Sequence, residues 1–250
     1  MENIMCFSAK VEQDLKKLEV HFNATVNSES FANYQFLKGY EQSQGPEAIK
    51  HKLGLTRKSS TSKFQWVDNE SSRIYPNYFA PVIIWLNGKR QIVPMRYRVR
   101  PHGMPKEIPS KYNVFNARLD SLNTRKTWTS LFGAKHALFP FRQFYEWVDY
   151  KGRKKLITFI PEGRDIMWAP ALYDSWASHD GTIEFSSFAI ITDDPPAEVS
   201  EQGHDRCPIF LREDLIDTWL RPTVSTKVEL MKILKQKETV YYEHSYEVAA

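Results

Sequence analysis

The sequence predicts an α+β fold in a single domain spanning residues 1–250. Two observations carry that expectation. From Phe64 to Thr192, short runs of Val, Ile, Tyr, Phe and Trp alternate with Asn, Gly, Pro and Asp, which is the chemistry of strands and tight turns. Both ends of the chain carry helical periodicity instead, and no repeat, low-complexity tract or linker divides them.

The elements follow in order. Residues 9–22 read as an amphipathic helix, with Val11, Leu15, Leu18 and Phe22 at helical spacing and Ser8 as its cap. Residues 23–62 are mixed and polar, and read as loops with one short helix near 46–52. Strands are expected at 81–86 and 91–99, joined by the turn Asn87-Gly88-Lys89-Arg90. A second hairpin joins 144–150 to 154–160 through Lys151-Gly152-Arg153. A third joins 166–172 to 183–192 through Ser178-His179-Asp180-Gly181. The tail returns to helix at 212–220 and 227–236 and ends in a strand at 239–248.

Composition narrows the class. Hydrophobic residues make up 42% and charged residues 26%, which excludes disorder and collagen-like repeats. Two cysteines, Cys6 and Cys207, exclude a disulfide framework and a cysteine-rich zinc module. The seven histidines are scattered singly, so neither a metal nor a cofactor is expected. There is no secretory signal and no apolar run long enough to span a bilayer, so the expectation is a reducing cytoplasm with no membrane partner. A net charge of +4 is compatible with nucleic acid without announcing it.

Charge placement says more than the total. No acidic residue falls between Glu70 and Glu107, yet Arg73, Lys89, Arg90, Arg96, Arg98, Arg100 and Lys106 do. Arg96, Arg98 and Arg100 alternate with Tyr97 and Val99, so a strand's period of two places three guanidiniums on one face. That face is either a track for a phosphate backbone or a solvated surface kept soluble by arginine.

Four further groups bear on chemistry, each with a bland reading beside it. Cys6 follows Met5; inside a chain it is a small hydrophobe, whereas at a free N-terminus it is a 1,2-aminothiol. An α-amine with pKa near ~7.7–8 adds to an aldehyde as a Schiff base, and the adjacent thiol then closes a thiazolidine ring. Glu146 sits in Phe144-Tyr145-Glu146-Trp147, either solvent-facing or in an aromatic setting that raises its pKa for acid–base work. His204, in Gly203-His204-Asp205-Arg206, is either a surface residue among ion pairs or a proton carrier. Asn116, two residues before Arg118, reads most plainly as a helix cap.

Taken in order, these pieces resemble the SRAP family, SOS response-associated peptidase proteins whose members sense abasic sites in single-stranded DNA. The matching segments are Met5-Cys6, Val93-Pro94-Met95-Arg96-Tyr97, Phe115-Asn116-Ala117-Arg118, Phe144-Tyr145-Glu146-Trp147 and Phe188-Ala189-Ile190-Ile191-Thr192 running on to His204-Asp205-Arg206-Cys207-Pro208. The resemblance implies a β-barrel-like core of mixed and antiparallel sheets flanked by helices. It implies that Cys6, freed of residues 1–5 by a later start, host trimming or self-cleavage, joins an abasic deoxyribose through a thiazolidine. Glu146 would shuttle protons, Asn116 orient the N-terminal residue and His204 serve the sugar oxygen. Arg118 and Arg206 would hold flanking phosphates, Tyr97 would stack where the family has a wedging tryptophan, and Arg96, Arg98 and Trp147 complete the DNA-contacting set. The implied partner is single-stranded DNA containing abasic sites, near the nucleoid, with replication-fork proteins as further candidates. Two other readings stay open: a thiol (auto)peptidase using Cys6 with Glu146 and His204, and a non-covalent single-stranded DNA binder. The sequence departs from the family's cysteine-glycine-arginine start, because Phe7 and Ser8 follow Cys6.

Overall fold

The computed structural model describes residues 8–55, 63–109, 111–150 and 152–246. Cys6, and the expected leader at 1–5, lie outside them. The chain opens with strand β1 (Ser8–Val11), helix α1 (Leu15–Phe22) and strand β2 (Thr25–Val26), followed by helices α2 (Ser28–Gln44) and α3 (Pro46–Lys52). The expected helix at 9–22 is therefore strand in its first three residues and helix only from Leu15. Ser8–Val11 forms a ladder with two other strands, and this tertiary pairing overrides the helical period. The cap moves accordingly from Ser8 to Asp14, whose Oδ1 accepts from Lys17 N at 3.1 Å. The expected loop at 23–45 is mostly α2. Its polar surface hid a sparse apolar stripe, Tyr34 and Leu37, but Asn27 caps it by accepting from Ser30 N at 2.8 Å.

Next come β3 (Arg73–Ile74), β4 (Phe79–Leu86), β5 (Lys89–Tyr97), β6 (Asn116–Arg118), a 3-10 turn at Leu119–Ser121 and α4 (Lys126–Thr129). β4 and β5 meet through Asn87-Gly88, both at positive φ (52° and 77°), so two residues suffice where four were expected. Then follow β7 (His136–Tyr150), β8 (Arg153–Pro161), β9 (Met167–Ala177) and β10 (Glu184–Asp193). The chain ends with α5 (Ala197–Ser200), β11 (Cys207–Pro208), α6 (Ile216–Leu220), α7 (Lys227–Lys235) and β12 (Tyr242–Tyr246). All three expected hairpins are present.

Five of these strands close on themselves. β4 pairs β5, β5 pairs β10, β10 pairs β9, β9 pairs β7, and β7 returns to β4 at Leu138 and Ile83. The β5–β10 contact is parallel and the other four are antiparallel, so the barrel is mixed. Buried aromatic rings pack within it: Tyr97 stacks on Phe139 (6.4 Å between centroids), and Phe139 meets Phe188 at 5.1 Å. The remaining strands extend this frame, with β1 and β3 continuing from one edge of β7, β8 and β12 from the other, and β6 and β11 lying beside β10.

The basic face is where the structure departs furthest from the sequence reading. The three arginines do share a side, but it is buried, with Arg96, Arg98 and Arg100 exposed by 3%, 6% and 0%. Strand β5 stops at Tyr97, Arg98 adopts φ 120°, and the loop that follows brings Glu107 back onto all three guanidiniums. Arg96 forks onto the carboxylate with two bonds of 3.0 Å, while Arg98 and Arg100 approach it at 3.4 and 3.2 Å. Arg100 also donates to Leu53 O and lies 3.6 Å over the Trp176 ring; Arg96 lies 4.7 Å over Phe185. The residue that ends the acid-free stretch is thus the counter-ion of the face, and Arg96 and Arg98 are not a surface track for phosphates.

Burial pushes the Glu107 carboxyl up, but Arg96 above all, with Arg100 and Arg98, outweighs it and holds the group below its usual 4.5. Glu107→Gln leaves three guanidiniums buried without a counter-ion and should cost about 3–5 kcal/mol. The denaturant midpoint should fall at unchanged slope. The native chain binds this proton less readily than the unfolded chain, so the contribution is complete above about pH 4.5 and drains away as pH falls further. A denaturation series from pH 6 downward should show that loss in the native chain and not in Glu107→Gln.

Candidate active site

Strand β7 sets the site through its alternation. Phe144, Glu146 and Val148 share one face, and Tyr145 and Trp147 share the other. Glu146 lies on the same strand face as Phe144, which stacks on Phe159 and meets Tyr242 edge-on, and is itself buried. Across from it, the chain leaves α5, turns at Gly203 (φ 84°) and delivers His204. His204 Nε2 lies 3.0 Å from Glu146 Oε2, with both side chains buried.

The other imidazole nitrogen settles the protonation. His204 Nδ1 lies 2.9 Å from the Arg206 carbonyl, which can only accept, so Nδ1 carries a hydrogen. The contact between Nε2 and Oε2 then requires one proton, held either by the carboxyl or by the imidazole. Burial drives Glu146 above its usual range, which favours the neutral acid. Burial also works against a charged His204, but the Glu146 carboxylate outweighs it and holds the imidazole above its usual value. The two groups compete for a single proton in a site shielded from water, which suits a relay that both gives and takes a proton near neutral pH.

The remaining expected residues divide. Asn116 is buried in β6, parallel to β10 beside Ile190, and does not cap a helix. The local cap is Asn113, whose Oδ1 accepts from Phe115 N and Asn116 N at 3.2 and 3.0 Å. Asn116 Oδ1 accepts from Tyr97 OH at 2.9 Å, which orients the amide. Tyr97 itself is fully buried among Phe115, Phe139 and Phe188, so it is a core ring that positions Asn116 and not a surface wedge for bases. Trp147 is 45% exposed.

Arg118 and Arg206 come together at the end of β10. They line a recess of about 50 Å³ with Leu119, Asp120, Thr192, Asp193 and Asp194. Arg118 pairs with Asp120 at 2.9 Å, and Arg206 lies 3.8 Å from Asp205. Arg206 Nε and Thr192 Oγ1 are buried without a hydrogen-bond partner among the described residues. Sequence reasoning missed Thr192, because a threonine in an apolar strand carries no signal until its neighbours are known. Cys207 is buried against Tyr242, and burial pushes its thiol up to about 12, so it packs and does not act as a nucleophile.

The family model for SOS response associated peptidase (SRAP) matches residues 39–250. The chain belongs to this family. The abasic site processing protein YobE of Bacillus subtilis is 30% identical over 112 residues, 44% of this chain and 50% of YobE. YoaM of the same organism is 27% identical over 124 residues, 49% of this chain and 54% of YoaM. An abasic site processing protein of Saccharomyces cerevisiae is 34% identical over 131 residues, 50% of this chain and 33% of that protein. The chain spans about half the length of the Bacillus relatives it matches. A crystal structure from Bordetella bronchiseptica aligns over 98% of this SRAP chain and 100% of its own, with TM-score 0.64 and 14% identity. One from Bacteroides thetaiotaomicron aligns over 70% and 76%, with TM-score 0.59 and 19% identity. Both likenesses are of fold. Among the described residues, no helix is long and apolar enough to cross a membrane, and no group of three or more His, Cys, Asp or Glu is placed to hold a metal ion.

Replacing Glu146 by glutamine keeps the shape of the pair and removes its charge. Burial is then opposed only by the Arg206 carbonyl and the Asp205 charge, so the His204 titration midpoint, raised above 6.5 in the native SRAP chain, should fall. Histidine-selective NMR titration of the two proteins reads the change directly.

Proposed function

We propose that this chain processes abasic sites in single-stranded DNA by covalent capture through Cys6. The observation that carries the reading is the buried Glu146–His204 pair sharing one proton. Support comes from the relatives, which are named abasic site processing proteins, and from the position of Ser8. Ser8 pairs with Tyr145, the neighbour of Glu146. Ser8 follows Cys6 by two residues in the sequence.

The chemistry needs a Cys6 α-amine, and therefore loss of residues 1–5. That amine adds to the aldehyde carbon of the ring-opened deoxyribose, giving a carbinolamine. Glu146, as the neutral acid, protonates the departing hydroxyl, and water leaves with formation of the Schiff base. The Cys6 thiol then adds to the same carbon. Its proton passes to the Glu146–His204 pair, the nitrogen returns to a neutral amine, and the thiazolidine closes. The sum is aldehyde plus aminothiol giving thiazolidine plus one water, with no oxidant or reductant. Asn116, held by Tyr97, orients the N-terminal amine, and His204 serves the sugar oxygen. Arg118 and Arg206, which line one recess, receive phosphate oxygens beside the lesion.

The test mixes a chain beginning at Cys6 with single-stranded DNA bearing one abasic site. A denaturation-resistant adduct should form, with the mass of protein plus DNA less one water, and should be lost in Cys6→Ser. Glu146→Gln should slow its formation by about 10²–10⁴, the range of general acid–base catalysis. Absence of an adduct with Cys6 exposed would overturn the reading. Self-release of residues 1–5 that disappears in Cys6→Ala would point to the peptidase instead.

A further inference from the structure

With Tyr97, Arg96 and Arg98 buried, a bound DNA strand must find its aromatic and cationic contacts elsewhere. A surface of that composition surrounds the start of β1. Arg73 of β3 is half-buried, donates from Nε to Ser8 Oγ at 2.9 Å, and lies 4.1 Å over the Tyr145 ring. The Tyr75 ring centroid is 5.3 Å from the same guanidinium. Tyr75 is 39% exposed and is braced edge-on by Tyr78 at 5.5 Å. Trp147 follows Tyr145 by two residues, so it shares that strand face, and it is 45% exposed. The registers that place Arg73 opposite Lys10 and Ser8 opposite Tyr145 bring β3, β1 and β7 side by side here.

We propose that Tyr75, Arg73 and Trp147 form the DNA-strand platform of this chain, a deeper statement of the capture reading on which it rests. An abasic nucleotide has no base to recognise, so the π-faces of neighbouring bases are what a protein can hold without regard to sequence. Tyr75 and Trp147 offer exposed rings for them. Arg73 contacts the phosphate between, its guanidinium plane pre-oriented by Tyr145 and by the bond to Ser8. The platform gathers around Ser8, which follows Cys6 by two residues in the sequence.

The test uses the intact chain and a short fluorescein-labelled single strand carrying one tetrahydrofuran residue, which has no aldehyde and so reports binding without capture. Tyr75→Ser should weaken binding roughly five- to a hundredfold, and Tyr75→Phe should restore it. Arg73→Gln should weaken binding and lower the slope of log affinity against log salt by about 1, while Arg73→Lys keeps the slope. Unchanged thermal midpoints show that the surface substitutions leave the fold intact. Native affinity and salt slope in both Tyr75→Ser and Arg73→Gln would overturn the platform and leave the capture reaction standing. Failure of the unaltered chain to bind would also overturn it, and adduct formation with an aldehyde-bearing strand then decides capture separately.

Discussion

Ser187 and Phe188 of β10 lie alongside Arg96 and Tyr97 of β5, and this two-residue parallel contact closes the barrel. Almost everything functional hangs from it. Closure puts the Tyr97 ring inside, against Phe139 and Phe188, where its hydroxyl reaches Asn116. It stops β5 at Tyr97, so the chain turns at Arg98 and carries Glu107 back over the arginines. It also fixes β10, whose far end carries Thr192 and leads through α5 to His204 opposite Glu146.

Two buried glutamates in this frame titrate in opposite directions, and the contrast shows what a site needs. Glu107 faces three guanidiniums that are charged at any working pH, so its own charge is locked and it serves as a structural counter-ion. Glu146 faces one histidine, a partner that itself gains and loses a proton. Desolvation is similar in kind at both positions. The difference is whether the partner can give its charge away, and this separates a structural counter-ion from a proton relay.

The surfaces proposed for DNA follow from the same packing. The strong run of arginines is withdrawn into the core, where Glu107, aromatic rings and backbone carbonyls surround it. What remains outside is sparser and assembled from distant segments: Arg73 and Tyr75 on one strand edge, Trp147 on β7, Arg118 and Arg206 across β10. Such an assembly leaves no run in the sequence to draw attention to it.

The sequence by itself determined the hairpins, because Asn-Gly and glycine-centred turns between β-branched runs act locally, and it marked Glu146, His204 and Asn116 as ordered motifs. Their roles were not legible there. A period of two places Arg96, Arg98 and Arg100 on one side but cannot say whether that side meets water, since that depends on where a loop returns Glu107. Helical spacing at 9–22 was equally indifferent to the strands waiting to pair with Ser8–Val11. Alternation is a property of one strand, whereas burial, partners and proton affinity belong to whatever packs against it. Only the closed barrel brings those neighbours into place.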